Sequence, residues 1–313
     1  MPQSEPEEIA RAAELIRQGG LVAFPTETVY GLGANALDEA AVARIFEVKG
    51  RPKTSPLIVH VASIDMARVI VGEWPLAAEK LGRQFWPGPL TLVLRRHQRI
   101  PLVVTAGLET VGIRVPAHPL AQMLLRQAGV PIAAPSANRF TELSPTTAEH
   151  VRGSLGQRVD CVLDGGPSAV GLESTVLSLA DKRPCLLRPG MVSKEDIEAV
   201  IGPVVAGAPP EPGAAHASPG QHPRHYSPRT PLVIVSDGAC PGGRGAYLFH
   251  TRPSSSAARN VNMPQTPDGY AAALYSTLHD LDGQAWDWIA VERPPETSEW
   301  AAIADRLHRA CRT

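Results

Sequence analysis

The stretch "LVAFPTETVYGLG" (residues 21–33) runs an apolar segment straight into Thr26, Glu27, Thr28 and Tyr30. The run reads as a strand over 21–26, and its polar tip calls for a ligand or a buried partner. Before it, Ser4 and Glu7 can form a capping box, and Ile9, Ala12, Ala13 and Ile16 make one helical stripe ended by Gly19-Gly20. After it, Asp38 opens a helix with Val42, Ile45 and Phe46 inward, closed by Gly50. "GLGANA" matches a dinucleotide-binding spacing at Gly31, Gly33 and Ala36, but the strand ends five residues too early for that use.

Further out, strands are expected at 56–61, 90–95, 110–115, 131–136, 161–164 and 174–179, and helices at 63–71, 76–84, 118–128, 146–154 and 193–200. This alternation predicts an α/β domain with a mixed sheet over residues 1–202. Residues 203–229 hold seven prolines without periodicity and read as a Pro-rich linker. Residues 230–313 read as a smaller α/β unit, with strands at 231–235, 246–250 and 287–292 and helices at 268–281 and 299–311.

Composition narrows the function. A net charge of −1 and an aromatic content of 5% argue against a nucleic-acid field or a base-stacking surface. No apolar run approaches the ~18 residues of a membrane helix. The four cysteines, Cys161, Cys185, Cys240 and Cys311, form no CxxC pair and suit a reducing compartment. The expected location is cytoplasmic. Phosphate-loop, HExxH and GxSxG motifs are absent from the sequence.

What remains is a set of polar groups at strand tips. In "EVKGRPKTSPL", Lys49 and Arg51 stand two apart and can project to one side, which suits phosphate or carboxylate. Lys49 also suits a helix C-terminus for its charge alone. "PIAAPSAN" brings Ser136 and Asn138 to one side of a strand end, and "TVGIRVP" alternates Val111, Ile113 and Val115 against Thr110, Gly112 and Arg114. His60 in "PLIVHV" reads as a core histidine or a ligand-facing one. The collection offers cations, hydroxyls and amides but no activated nucleophile. Such a site binds anions and aligns them.

These motifs, with "FWPGPLTLVL", "LDGG…GLESTV", "LLRPG" and "SPGQHPRHYSP", resemble the threonylcarbamoyl-adenylate synthase family in its long, two-domain form. The resemblance implies a YrdC-like twisted mixed sheet with flanking helices and a Rossmann-like C-terminal domain. It implies synthesis of L-threonylcarbamoyl-AMP from L-threonine, bicarbonate and ATP with Mg2+, releasing pyrophosphate. A downstream transferase would then modify tRNAs that read codons beginning with A; whether tRNA touches this chain is left open. By the same resemblance, Lys49, Arg51, Ser136 and Asn138 form the catalytic set. Thr28, His60, Arg114 and Ser174 hold threonine, and Ser55, Thr110, Ser144, Arg188 and Tyr226 join Lys49, Arg51 and Ser136 around ATP. The magnesium is held mainly through the ATP phosphates. Two positions depart from the family pattern: Ser55 replaces Asn, and Thr141 replaces a Gly expected at positive φ. A larger carbamoyltransferase carrying a related domain, or a non-catalytic RNA-binding module, are the rival readings.

Overall fold

The computed structural model describes residues 5–207 and 226–311. In chain order the first unit runs α1 (Pro6–Arg17), β1 (Val22–Phe24), β2 (Gly31–Asn35), α2 (Glu39–Lys49), β3 (Ile58–His60), α3 (Ile64–Val69), α4 (Leu76–Phe85) and β4 (Leu90–Arg95). It continues with α5 (Leu102–Thr105), β5 (Thr110–Arg114), α6 (Pro119–Ala128), β6 (Ile132–Ala133), α7 (Ala148–Leu155), β7 (Cys161–Val162), β8 (Thr175–Ser178), β9 (Cys185–Arg188), α8 (Lys194–Ile201) and β10 (Val205–Ala206). The strands form one mixed sheet in the order β10-β9-β8-β4-β5-β3-β6-β2-β1-β7.

The opening stretch becomes a hairpin. β1 and β2 pair antiparallel, with Val22 opposite Gly33 and Phe24 opposite Gly31, and residues 25–30 form a buried loop between them. The glycines of "GLGAN" therefore lie inside a strand. A Cβ on Gly33 would fall 2.7 Å from Ile132 Cγ2 and 2.8 Å from Phe24 Cε1, so close packing explains it without a phosphate loop. The periodicity had no signal for β2, because its five residues are almost all buried and so do not alternate.

Elsewhere local chemistry sets the boundaries. Asp38 accepts hydrogen bonds from the Ala40 and Ala41 amides, and Gly50 ends α2 in the left-handed conformation. On α1 the buried residues are Ile9, Ala12, Ala13 and Ile16, packed with Leu120, Leu124 and Leu125 of α6. Ser4 lies outside the described residues, and Glu5 stands at the N-cap without a side-chain cap bond. In β5, Val111 and Ile113 enter the core while Arg114 is buried on the opposite face. Residues 205–206, read as linker, instead add β10 to the edge of the sheet beside β9. Most of the linker, including His225, lies outside the described residues.

The second unit comprises β11 (Leu232–Val235), β12 (Gly245–Phe249), β13 (Arg259–Asn262), α9 (Pro267–Asp282), β14 (Trp288–Glu292) and α10 (Ala301–Ala310). Its sheet is parallel throughout, in the order β11-β14-β12-β13. Ala246, Leu248, Ile289 and Val291 pack with Leu274, Leu278, Ile303 and Leu307 of the two helices. Val29, Leu143, Leu172 and Tyr226 belong to the same apolar cluster, so the two units share a core. Each aliphatic side chain buried there contributes on the order of 1.5–3 kcal/mol. The approach is close: Gly171 sits at φ 76°, and a Cβ on it would lie 2.5 Å from the Ala271 carbonyl oxygen in α9. Among the described residues no helix is long and apolar enough to cross a membrane.

Candidate active site

A cavity of about 520 Å³, mouth included, opens where the 25–30 loop meets the ends of β3, β5, β6, β8 and β9. Its wall carries Thr26, Thr28, Arg51, His60, Arg114, Ser136, Ser174, Arg188, Glu173 and Tyr226, with Val29, Ile58, Ala134 and Pro135 as apolar lining. Three guanidinium groups against one carboxylate make the wall cationic.

The loop is held by its own hydroxyls. Thr26 Oγ1 donates to the Val29 carbonyl at 2.6 Å and lies 2.8 Å from Thr28 Oγ1, while Tyr30 N donates to the Pro145 carbonyl. Glu27, the residue between the threonines, points behind the wall. Its carboxylate meets Arg114 Nη2 at 2.7 Å and accepts the Ala117 amide at 2.9 Å. Arg114 also donates from Nη1 to Thr28 Oγ1 at 2.8 Å and from Nε to the Gly88 carbonyl. The fork is thus fixed on three sides with one face toward the cavity.

Arg188 donates twice to the Ser174 carbonyl, at 3.1 and 2.9 Å, and to Ser174 Oγ at 3.2 Å. Arg51 is held by the carbonyls of Ser55 and Pro56. Burial lowers the Arg51 pKa to about 10, with Arg188 nearby pulling the same way, so it remains cationic at neutral pH. His60 is 4% exposed, and its Nδ1 has no hydrogen-bond partner among the described residues. Burial first, then the Arg114 charge, lowers its pKa to about 3, which makes it a neutral imidazole at the wall.

Eight expected site residues meet at this cavity: Thr28, Arg51, His60, Arg114, Ser136, Ser174, Arg188 and Tyr226. Lys49 does not share the wall with Arg51. The Gly50 turn separates them, and the Lys49 ammonium is buried behind the "PSAN" turn, donating to the carbonyls of Ser136 (2.6 Å) and Asn138. Burial, reinforced by Arg51, pulls its pKa well below the usual lysine range. Asn138 is buried beside it, with Nδ2 donating to the carbonyls of Arg139 and Glu142. Ser55 is buried under Arg51, and Ser144 donates to Glu173 Oε1 at 2.5 Å. Thr110 shares a face with Arg114 but stands at the far end of β5, about 13 Å along the strand, and does not line this wall.

Sequence reasoning passed over two carboxylates. Glu27 had a signal, since a glutamate between two buried threonines needs a cation. Glu173 stood in "GLEST" with no local cue to its partner, which comes from the second unit.

A family model described as telomere recombination matches residues 14–190, and one for the threonylcarbamoyl-AMP synthase C-terminal domain matches 192–311. The threonylcarbamoyl-AMP synthase of Bacillus subtilis (strain 168) is 44% identical over 320 residues, covering 97% of this chain and 92% of its own. The chain belongs to the threonylcarbamoyl-AMP synthase family. The synthase of Pyrococcus abyssi is 42% identical over 325 residues, covering 96% of this chain and 92% of its own. A crystal structure of P. abyssi Sua5 complexed with L-threonine superposes with a TM-score of 0.91 at 39% identity, over 99% of this chain and 96% of that one. Both units of the chain are thus matched together in one solved structure.

Proposed function

We propose that the chain condenses L-threonine, bicarbonate and ATP into L-threonylcarbamoyl-AMP and pyrophosphate. The observation that carries this reading is the fixed cationic wall: Arg51, Arg114 and Arg188 face one cavity with five hydroxyl side chains and a neutral imidazole. Membership of the synthase family supports it.

The chemistry asks little beyond alignment. The threonine amine adds to bicarbonate with loss of water, giving a carbamate. A carbamate oxygen then attacks the α-phosphate in line, and pyrophosphate leaves. Arg114 would take the threonine carboxylate in its fork, with Thr28, Ser174 and His60 around the hydroxyl and amine. The His60 imidazole is neutral at working pH, and its Nδ1, without a partner among the described residues, can hydrogen-bond the threonine hydroxyl or amine. Arg51, Arg188 and Ser136 would take phosphate and carbamate oxygens, and Tyr226 would close over the nucleotide. Lys49 and Asn138 would act from behind, holding the turn that presents Ser136. Ser55 would shape the Arg51 side, Ser144 would act through Glu173, and Thr110 would reach ATP only at a distance from the wall.

Magnesium would enter as MgATP, bound through phosphate oxygens. Among the described residues no cluster of three or more His, Cys, Asp or Glu side chains could hold a metal ion of its own. The product's mixed carbamic–phosphoric anhydride suits a transferase that passes the group to a tRNA adenosine. The proposed location is cytoplasmic.

The test is pyrophosphate release from MgATP with bicarbonate and L-threonine, L-serine or no amino acid. Release should require both threonine and bicarbonate and should fall at least a hundredfold in Arg51→Ala. Threonine-independent release, or none from folded protein, would overturn the reading.

A further inference from the structure

Among the described residues, the largest fully buried side chain is charged and lies in α10. Arg306 of α10 is 1% exposed, yet it belongs to the domain that does not carry the cavity. Its Nε meets Glu173 Oε2 at 2.7 Å, Nη2 donates to the Glu173 carbonyl at 3.3 Å, and Nη1 meets Asp305 at 2.7 Å. Its guanidinium carbon lies 5.4 Å from the Tyr226 ring centre. A guanidinium is not buried this completely unless something fixed requires its charge.

Glu173 supplies that requirement. It is the carboxylate of the cavity wall, and it directly precedes Ser174, whose carbonyl Arg188 holds. It accepts from Ser144 Oγ at 2.5 Å, from Tyr275 OH at 3.2 Å and from Arg306, so both of its oxygens are engaged by protein groups. In a cavity built for anions, an uncompensated carboxylate there would repel a triphosphate. Tyr226, whose ring Arg306 covers, lines the same cavity, and burial, then Glu173, pushes its phenol pKa up so that it stays neutral.

We propose that Arg306 is a positioning residue of the active site: from the second domain, without touching substrate, it neutralises Glu173 and fixes Tyr226 so that this wall accepts the ATP triphosphate. The inference rests on the ATP-dependent reading above. It makes the second domain part of the nucleotide site's electrostatics, through one side chain.

The experiment uses the full chain and compares Arg306→Met, Glu173→Gln/Arg306→Met and Arg306→Lys with the unmodified protein. Folding is checked by thermal melting, affinity for α,β-methylene-ATP by calorimetry, and pyrophosphate release at varied ATP and threonine. Arg306→Met should weaken the ATP analogue about tenfold or more and raise the ATP KM in parallel, with the threonine KM within about twofold. The double variant, which removes the orphaned carboxylate charge, should recover most of that loss, and Arg306→Lys should fall between. If folded Arg306→Met binds the analogue normally, or the double variant binds as poorly as Arg306→Met, Arg306 serves docking alone and the inference fails. Should Arg306→Met not fold, the double variant decides: affinity within about threefold of the unmodified protein supports the inference, and a tenfold loss overturns it. An unmodified protein that binds no analogue and releases no pyrophosphate would instead sink the ATP-dependent reading itself.

Discussion

Two buried carboxylate–arginine pairs flank the same cavity with opposite orientation. In Glu27–Arg114 the arginine faces the cavity and the carboxylate stands behind it. In Glu173–Arg306 the carboxylate faces the cavity and the arginine stands behind. The first pair joins a loop and a strand of one domain and presents a cation to be used. The second joins two domains and hides an anion that would otherwise interfere. Burying an ion pair is rarely a net source of stability, so such pairs persist where their geometry serves something else.

Breaking the first pair gives the largest expected effect. Arg114→Met leaves Glu27 buried without its cation and should cost about 3–5 kcal/mol of stability. Threonine-dependent pyrophosphate release should fall at least a hundredfold. Thermal unfolding and turnover at varied threonine check this; a variant as stable as the parent would show that Glu27 is solvated and the two pairs are not alike.

The neutral imidazole beside Arg114 sharpens the same contrast through pH. An unfolded histidine titrates near 6.5, whereas His60 in the folded protein titrates at about 3. Between those values the unfolded chain holds one more proton, so stability falls as pH drops from 6.5 toward 3. The slope from this group is about 1.4 kcal/mol per pH unit. His60→Asn should flatten that part of the pH–stability curve by about one proton's slope. Equal slopes in urea-unfolding midpoints between pH 6 and 4 would remove His60 from the account.

The smallest effect is expected at the seam between the regions. Thr141 sits at φ 72°, and its carbonyl accepts the Ser227 amide at 2.9 Å, just where the chain enters the second unit. A β-branched residue in that conformation is strained. Thr141→Gly removes the strain at some cost in unfolded-state entropy, for a net gain of about 0.5–1 kcal/mol. A higher melting temperature with unchanged turnover is the expected result. A lower one would mean that the threonine side chain stabilises the seam by more than its backbone costs.

The sequence carried much of the fold because its signals were local. Asp38, Gly50 and the stripe of α1 bound their elements through caps and periodicity within a few residues, and β4 reads directly from "LTLVLR". It was silent on β2 and on β9, short segments with no period of their own. The positive φ of Thr141 was legible as well, since a turn wanting glycine keeps its shape when the residue changes.

The site divides along the same line. The residue types at strand tips announced an anion-binding cavity, and eight of them meet there. Which way each side chain faces depended on groups far along the chain. Lys49 turns away to carbonyls 87 and 89 residues distant, and Glu173 finds its arginine 133 residues later. The sequence alone therefore determined most of the elements, the family and the chemistry available, because caps, periods and motifs act over short separations. The tertiary structure alone decided which charges are presented and which are silenced, because that depends on desolvation and on partners that only the folded chain brings together.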